Sequence, residues 1–192
     1  MARRTGTSKA FTIFAIIMVA FLIMSTLVLF GGSILGPDNS DPADPTDEAD
    51  RQMSELETRV SANPDDADAA AVLANIYANE GNLAQAIPLY EQATLARPDD
   101  GNLRLAFGIA LLRSGSFLDA RIQLEQALDL LPDSSGPAYY LGQLEQLKDD
   151  PDPEAAREWF ELAIERDPES VLASQAQERI DELDNPDASP AP

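Results

Sequence analysis

Paired carboxylates are the residues of this sequence that could do acid–base chemistry, as paired acids do in glycosidases. They recur as Asp65/Asp66, Asp99/Asp100 and Asp149/Asp150. Each pair stands where a segment with helical periodicity is about to begin, and the positive end of a helix favours acids. Histidine and cysteine are both absent from the sequence, which removes imidazole bases, thiolate nucleophiles and ordinary zinc sites. We therefore predict that the protein is not an enzyme and has no catalytic residues, cofactor or metal.

Charge is distributed unevenly along the 192 residues, whose formal net charge is −21. Residues 1–9 carry three basic side chains and no acid, whereas all 34 acidic residues lie further along the chain. Because phosphate groups attract Lys and Arg, the acidic part should repel nucleic acid and anionic lipid headgroups. We expect no nucleic-acid partner, and any charged partner should be basic.

A long apolar segment follows the basic one. Residues 10–30 contain no charged residue, proline or glycine, and as a helix they would span about 31 Å, the thickness of a bilayer core. Basic residues stay on the cytoplasmic side, and after this segment none occurs before Arg51. We predict an uncleaved signal-anchor in the cytoplasmic membrane, with residues 1–9 inside and the C-terminal domain outside, in the periplasm or at the cell surface. Cleavage near Gly32 remains the alternative.

Two segments have the composition of spacers. Residues 31–47 are rich in proline and aspartate and cannot bury enough apolar surface to repay the entropy of ordering. The Pro-rich residues 184–192 should form a disordered tail. A folded domain is therefore expected over residues 48–183.

Prolines divide this domain at intervals of 34, 34 and 36 residues, at Pro64, Pro98, Pro132 and Pro168. Between them, apolar residues recur at helical spacing, as Ala86, Tyr90 and Ala93 do. Gly81 suits the left-handed position that ends a helix, and Asn82 suits the N-cap of the next one. Gly115 and Ser116 occupy the equivalent places one period later. Each unit thus reads as helix, tight turn, helix, then proline.

The pattern resembles the tetratricopeptide repeat, in which Trp-x2-Leu-Gly-x2-Tyr precedes a glycine, Ala-x3-Phe-x2-Ala and a proline. In the first unit the matching residues are Leu73, Tyr77, Gly81, Ala86, Tyr90, Ala93 and Pro98. The second matches at Phe107, Gly108, Leu111, Gly115, Ala120, Leu124, Ala127 and Pro132. The third matches at Leu141, Gly142, Ala156, Phe160, Ala163 and Pro168, with a turn two residues longer and with Glu145 where tyrosine is usual.

The resemblance implies an all-α fold, a right-handed α-solenoid of three helix hairpins in addition to the transmembrane helix. The repeats should span residues 67–100, 101–134 and 135–170. Flanking helices are expected over residues 48–62 and, as a cap, over residues 170–183.

The resemblance also implies that the first helix of each hairpin lines a concave groove for a protein or an extended peptide. Its candidate residues are Asn75, Asn79, Leu105, Ile109, Arg113, Tyr139 and Gln143. The amides would bond a peptide backbone, Leu105, Ile109 and Tyr139 would give apolar contact, and Arg113 would supply a cation. The carboxylate clamp of some relatives is not expected, because Ala71 stands at a lysine position. Each candidate could instead be an ordinary helix-surface residue or pack on a neighbouring helix.

We therefore expect a membrane-anchored scaffold of the tetratricopeptide type, bound to the lipid bilayer through residues 10–30. Its layout is similar to periplasmic repeat domains of cytochrome c maturation factors and to accessory subunits of secretion machines. Two alternatives stay open. The repeats could assemble into a structural homo-oligomer, or the acidic surface could act as a buffer for basic proteins or cations.

Overall fold

The computed structural model describes residues 45–185, with side chains from residue 48 onwards. The predicted basic segment 1–9, the apolar segment 10–30, most of the predicted linker and the tail from residue 186 lie outside the described residues. Within residues 45–185, no helix is both long and apolar enough to cross a membrane. All regular structure in this range is helical.

Eight helices follow one another in the described range: α1 (Pro45–Ala62), α2 (Ala67–Asn79), α3 (Leu83–Ala96), α4 (Gly101–Arg113), α5 (Phe117–Leu130), α6 (Gly136–Leu147), α7 (Pro153–Arg166) and α8 (Val171–Asp184). Helix α1 begins inside the stretch expected to be linker, because Pro45 is well suited to the first turn of a helix. From Asp50 onwards, the described helices form one compact unit.

The helices stack in chain order. Three hairpins pair α2 with α3, α4 with α5 and α6 with α7, and each hairpin packs on the next. The first helices of the hairpins, called here the A helices (α2, α4 and α6), also contact one another in sequence, and α6 contacts α8. The second helices (α3, α5 and α7) are called the B helices. The described residues therefore form an α-solenoid with one layer of A helices and one of B helices.

Small residues allow the two layers to approach closely. Ala86, Ala120 and Ala156, one on each B helix, are completely buried. A Cβ atom on Gly142 of α6 would lie only 2.6 Å from the ring of Phe160 on α7. The sequence pattern placed these small residues between packed helices, and their burial confirms it.

Glycine stabilises the turns within the first two hairpins. Gly81 and Gly115 adopt the left-handed conformation, with φ of 82° and 80°, and thereby end α2 and α4. Asn82 and Ser116 stand at the N-cap positions of α3 and α5 as expected, but their side chains make no capping hydrogen bond.

Side-chain caps occur instead at α2 and α4, which follow the turns at Pro64 and Pro98, whereas α6, which follows Pro132, has no such cap. Asp66 and Asp100, the second acids of two sequence pairs, each accept a hydrogen bond from a backbone N–H at 3.0 Å. Asp152 caps α7 in the same way, whereas the third pair, Asp149 and Asp150, stays exposed in the longer turn before it. Two of the carboxylate pairs thus owe their position to helix capping.

Candidate functional site

The A helices share a row of positions on one side, which we call the A-helix stripe, and every position in it except Gly136 is accessible. Along α2 its spacing is four, three, four, because 3.6 residues complete each helical turn. It contains Asp68, Val72, Asn75 and Asn79 on α2, Asn102, Ala106, Ile109 and Arg113 on α4, and Gly136, Tyr140, Gln143 and Leu147 on α6. Since neighbouring A helices contact one another, the stripe crosses three hairpins.

Five of the seven predicted site residues lie on this stripe: Asn75, Asn79, Ile109, Arg113 and Gln143. The other two, Leu105 and Tyr139, precede it by one position. Leu105 is half-buried, and its Cδ2 atom would lie 3.0 Å from a Cβ atom on Gly136 of α6. The equivalent residue on α2, Ala71, is 8% exposed.

Tyr139 was expected to offer its ring to a partner, but the structure places it in the core. Its side chain is 4% exposed, and its ring centroid lies 5.7 Å from that of Phe160 and 5.3 Å from that of Tyr140. Burial of this large apolar ring removes it from water, so the core uses the contact area that a partner would need. Tyr140, one residue later, is the tyrosine that the stripe contains.

A hydrogen bond from the core fixes the amide of Asn75. The Tyr90 hydroxyl donates to the Asn75 Oδ1 atom at 2.7 Å. Burial raises the pKa of Tyr90, so this hydroxyl stays protonated at neutral pH and remains the donor. The Asn75 NH2 group is therefore left free to donate outwards.

The other stripe amides keep similar capacity. Gln143 donates its NH2 group to the Tyr139 hydroxyl at 3.0 Å, which leaves its carbonyl oxygen as an acceptor. Asn79 and Asn102 are exposed, and their side chains have no hydrogen-bond partner among the described residues. The stripe thus combines a fixed donor, a fixed acceptor and two amides that can act as both.

Arg113 joins the first two hairpins and carries a positive charge on the stripe. Its Nη1 atom donates to the Ala78 carbonyl oxygen at 2.8 Å, in the last turn of α2, where the helix dipole favours a cation. The rest of the guanidinium is exposed and forms no ion pair with any described residue. Burial raises the pKa of Tyr140, and the nearby charge of Arg113 opposes that rise.

Glu145 is a buried charged residue whose role the sequence pattern did not predict. It is 3% exposed, and its carboxylate contacts the Arg121 guanidinium and, at 2.6 Å, the Lys148 ammonium. Burial alone would raise the pKa of Glu145, but these two cations outweigh it and hold the pKa below its usual value. The residue therefore links α5 to the end of α6 and belongs to the packing between hairpins. The only sequence signal for this ion pair was the position of Glu145 three residues before Lys148, a spacing that brings two side chains together on a helix.

The described residues contain no group of three or more metal-ligating side chains placed to hold an ion. What residues 45–185 assemble on the A-helix stripe is a surface of amides, one acid (Asp68), one cation and apolar side chains. This chemistry suits binding.

Repeated helical hairpins with a period of 34 residues define the class of tetratricopeptide-repeat proteins. Two family models described as tetratricopeptide repeat match residues 77–144 and residues 47–102. Together they span about half of the chain. The chain belongs to the tetratricopeptide-repeat family.

Several solved structures resemble it. The crystal structure of YrrB, a TPR protein with an unusual peptide-binding site, aligns with a TM-score of 0.60 at 22% identity and covers 66% of this chain. The chain spans 64% of the YrrB structure. The structure of a MamA mutant aligns with a TM-score of 0.57 at 28% identity over 64% of this chain and 70% of MamA.

A third structure is the first TPR of Spaghetti (RPAP3) bound to the HSP90 peptide SRMEEVD. It aligns with a TM-score of 0.55 at 20% identity and covers 64% of this chain and 94% of its own. At such identities, YrrB and RPAP3 establish the fold alone. No curated protein sequence matches the chain.

Proposed function

We propose that this protein is a membrane-anchored scaffold whose A-helix stripe binds an extended peptide or an extended segment of a protein outside the cytoplasmic membrane. The observation that carries the proposal is the row of free hydrogen-bonding groups on Asn75, Asn79, Arg113 and Gln143. These groups lie across three neighbouring A helices, and apolar side chains such as Val72 and Ile109 lie between them.

The backbone of an extended peptide complements the hydrogen-bonding groups of this stripe. Its backbone N–H and C=O groups are unpaired, and each must find a partner when it leaves water. Side-chain amides both donate and accept, so they can serve either backbone group. Val72 and Leu147, which are 48% and 59% exposed, give apolar contact near the two ends of the stripe.

Two structural relatives support a peptide ligand in general terms. The RPAP3 structure contains a bound peptide, and YrrB is described by its peptide-binding site. Arg113 adds a preference, since its free N–H groups match a carboxylate of the ligand. Arg113 would therefore hold an acidic side chain or the C-terminal carboxylate of the ligand.

The proposed location rests on the sequence of residues 1–30. An apolar anchor at residues 10–30, preceded by three basic residues, would leave the repeats in the periplasm or at the cell surface. There the scaffold would hold its partner near the membrane during assembly of an envelope complex, as in cytochrome c maturation or secretion. A C-terminal alkaline phosphatase fusion should be active in this topology. Fluorescence from a C-terminal reporter that matures only in the cytoplasm would contradict it.

In vivo photo-crosslinking tests the proposed binding surface. A photoreactive amino acid at Ile109, on the stripe, should give a defined adduct, whereas one at the exposed Glu161 of α7 should not. Peptide mapping of the adduct should identify a segment outside regular structure in its own protein. Identical adducts from both positions would contradict the proposal.

The last helix of the solenoid, α8, argues against the alternative that the repeats assemble into a homo-oligomer. Helix α8 buries Ala176 and Ile180 against the third hairpin, while its outer side carries the exposed acids Glu178, Asp181 and Glu182. A polar outer face ends a solenoid rather than extending it.

A further inference from the structure

A second surface lies on the opposite layer, between the B helices α3 and α5. These helices bound a cleft of about 500 Å³ whose floor is formed by Phe107 and Leu111 of α4. Its walls carry Leu95 on α3 and Ile122 on α5, which are 78% and 50% exposed. We call this surface the B-helix cleft. Its volume lies in the range of specific binding sites.

The fold itself does not require apolar walls here. The third hairpin has the same architecture, and its equivalent of Ile122 is Glu158. The equivalent of Leu95 one repeat later is Asp129. Leu118 lies beside the cleft and is 82% exposed, and its equivalent one repeat later is Glu154. The same positions thus carry solvated acids between α5 and α7. The apolar side chains between α3 and α5 therefore need an explanation beyond stacking of the repeats.

The polar groups of the B-helix cleft limit what can occupy it. Arg104 donates to the Pro98 carbonyl oxygen at 2.6 Å and to the side-chain oxygens of Gln123, at 3.0 Å, and Gln126. Thr94 donates to the Tyr90 carbonyl oxygen within α3 at 2.8 Å. These bonds engage the side-chain oxygens of Gln123 and Gln126, so the free polar groups of the cleft are two NH2 groups and the carboxylates of its walls. The exposed apolar side chains need an apolar ligand face that does not carry unpaired backbone groups with it. A helix satisfies its own backbone and presents only side chains, so it fits better than an extended peptide.

The charges select the polar side of that helix. Glu91 on α3 and Asp119 on α5 line opposite walls, and neither carboxylate has a hydrogen bond or ion pair with any described residue. Asp149 and Asp150, in the neighbouring cleft that also contains Asp119, are likewise unpaired among the described residues. A second copy of this chain, with a net charge of −21, would meet repulsion there. A basic partner would meet attraction.

We propose that the B-helix cleft binds a basic amphipathic helix of another protein, with Leu- or Ile-type side chains inserted between α3 and α5 and Lys or Arg facing Glu91 and Asp119. This surface is independent of the A-helix stripe and lies on the other layer of the solenoid. A protein with both surfaces bridges two partners, one held as an extended segment and one as a helix.

A synthetic helix tests the proposal on the full-length chain in detergent. The probe is a peptide of about 16 residues with leucine on one face and lysine on both flanks. One matched peptide has glutamate in place of lysine, and another has two internal prolines that prevent a helix. Fluorescence anisotropy should detect saturable binding of the lysine peptide below about 100 µM and at least about tenfold weaker binding of either control.

The protein variants use residues that the fold already accepts at equivalent positions. In about 0.5 M salt, which screens the two added negative charges, Leu95→Asp with Ile122→Glu should weaken the lysine peptide about tenfold or more through loss of apolar contact, with an unchanged melting temperature. Val72→Glu on the A-helix stripe should leave it unchanged, which separates this surface from the proposed function. Glu91→Gln with Asp119→Asn should reduce the salt dependence of binding.

Three results would overturn the assignment: no saturable binding of the lysine peptide, equal binding by the Leu95→Asp/Ile122→Glu variant, or equal binding of the glutamate peptide. Sedimentation of the full-length chain adds a fourth. A homodimer that the same double substitution dissociates would assign the cleft to a second copy.

Discussion

The Tyr90 hydroxyl, at the centre of the first hairpin, donates a hydrogen bond of 2.7 Å to the Asn75 side-chain oxygen on the A-helix stripe. A core residue that is 2% exposed thereby sets the orientation of a surface amide. The binding surface and the packing of the hairpin are coupled at this point.

Tyr90→Phe tests that coupling. Loss of the hydroxyl should lower the free energy of unfolding by about 1 kcal/mol and should weaken peptide binding several-fold, because Asn75 loses its fixed orientation. Urea denaturation and peptide titration measure the two effects.

Tyr77→Phe is the control. The Tyr77 hydroxyl donates a hydrogen bond to Glu57 of α1 at 2.5 Å, and this bond, together with burial, raises the pKa of Tyr77 to about 12. Its loss should affect stability alone. Equal loss of binding in both variants would rule out a specific role for Asn75.

Adjacent residues on α2 test which helix face is the binding surface. Val72 is 48% exposed and Ala71 only 8%. Val72→Glu should change the free energy of unfolding by less than about 0.5 kcal/mol and yet weaken peptide binding. Ala71→Glu should cost more than about 2 kcal/mol, because it buries an unpaired charge near α4. Thermal denaturation measures the destabilisation in both variants. A larger destabilisation by Val72→Glu than by Ala71→Glu would mean that the stripe is displaced by one residue.

Glu145 gives the domain a pH-dependent stability. Glu145→Gln should lower the free energy of unfolding by about 2 kcal/mol at pH 7, since the variant loses the charged contacts to Arg121 and Lys148. The pKa of Glu145 in the folded state is lower than 4.5, the ordinary value for a glutamate side chain. The stabilisation is therefore complete above that value and disappears as the pH falls through the folded pKa.

The difference between wild type and Glu145→Gln should therefore be largest near neutrality and should shrink towards pH 3. Guanidinium denaturation at several pH values measures it. Glu125→Gln is the matched control, because Glu125 pairs with the same arginine from a half-exposed position at 3.5 Å. A constant difference across the pH range would exclude ionised Glu145 as the source.

The two kinds of helix start should respond differently to truncation. Asp100 accepts a hydrogen bond of 3.0 Å from the Leu103 N–H at the start of α4, so Asp100→Ala should cost about 1 kcal/mol. Asn82 occupies the N-cap position of α3 without such a bond, and Asn82→Ala should cost much less. Urea denaturation compares them, and equal costs would mean that the capping bond contributes little.

The helical stack could be predicted because its signals are local and repeated. Prolines at a constant interval, the turn glycines and the alanines at 86, 120 and 156 each report a steric requirement that few residues satisfy. Repetition made these weak signals reliable, since three copies had to agree.

The exact face of the A helices was harder to predict. A spacing of three, four, four selects Ala71, Asn75 and Asn79, whereas four, three, four selects Val72 with the same two asparagines, and both spacings fit one side of a helix. The choice depends on how closely the next A helix approaches, which is a tertiary quantity. For the same reason the sequence could not show that Tyr139 is buried and Tyr140 is on the stripe, or that Leu95 and Ile122 face each other across a cleft.

Peptide affinity on the A-helix stripe tests the central claim most directly. The segment identified by crosslinking from Ile109, made as a synthetic peptide, should bind the full-length wild-type chain, and Asn79→Ala combined with Arg113→Ala should weaken it at least about tenfold. The Leu95→Asp/Ile122→Glu variant, altered only on the opposite layer, should bind it as wild type does. Unchanged affinity in the Asn79→Ala/Arg113→Ala variant would contradict the assignment of the stripe as the peptide-binding surface.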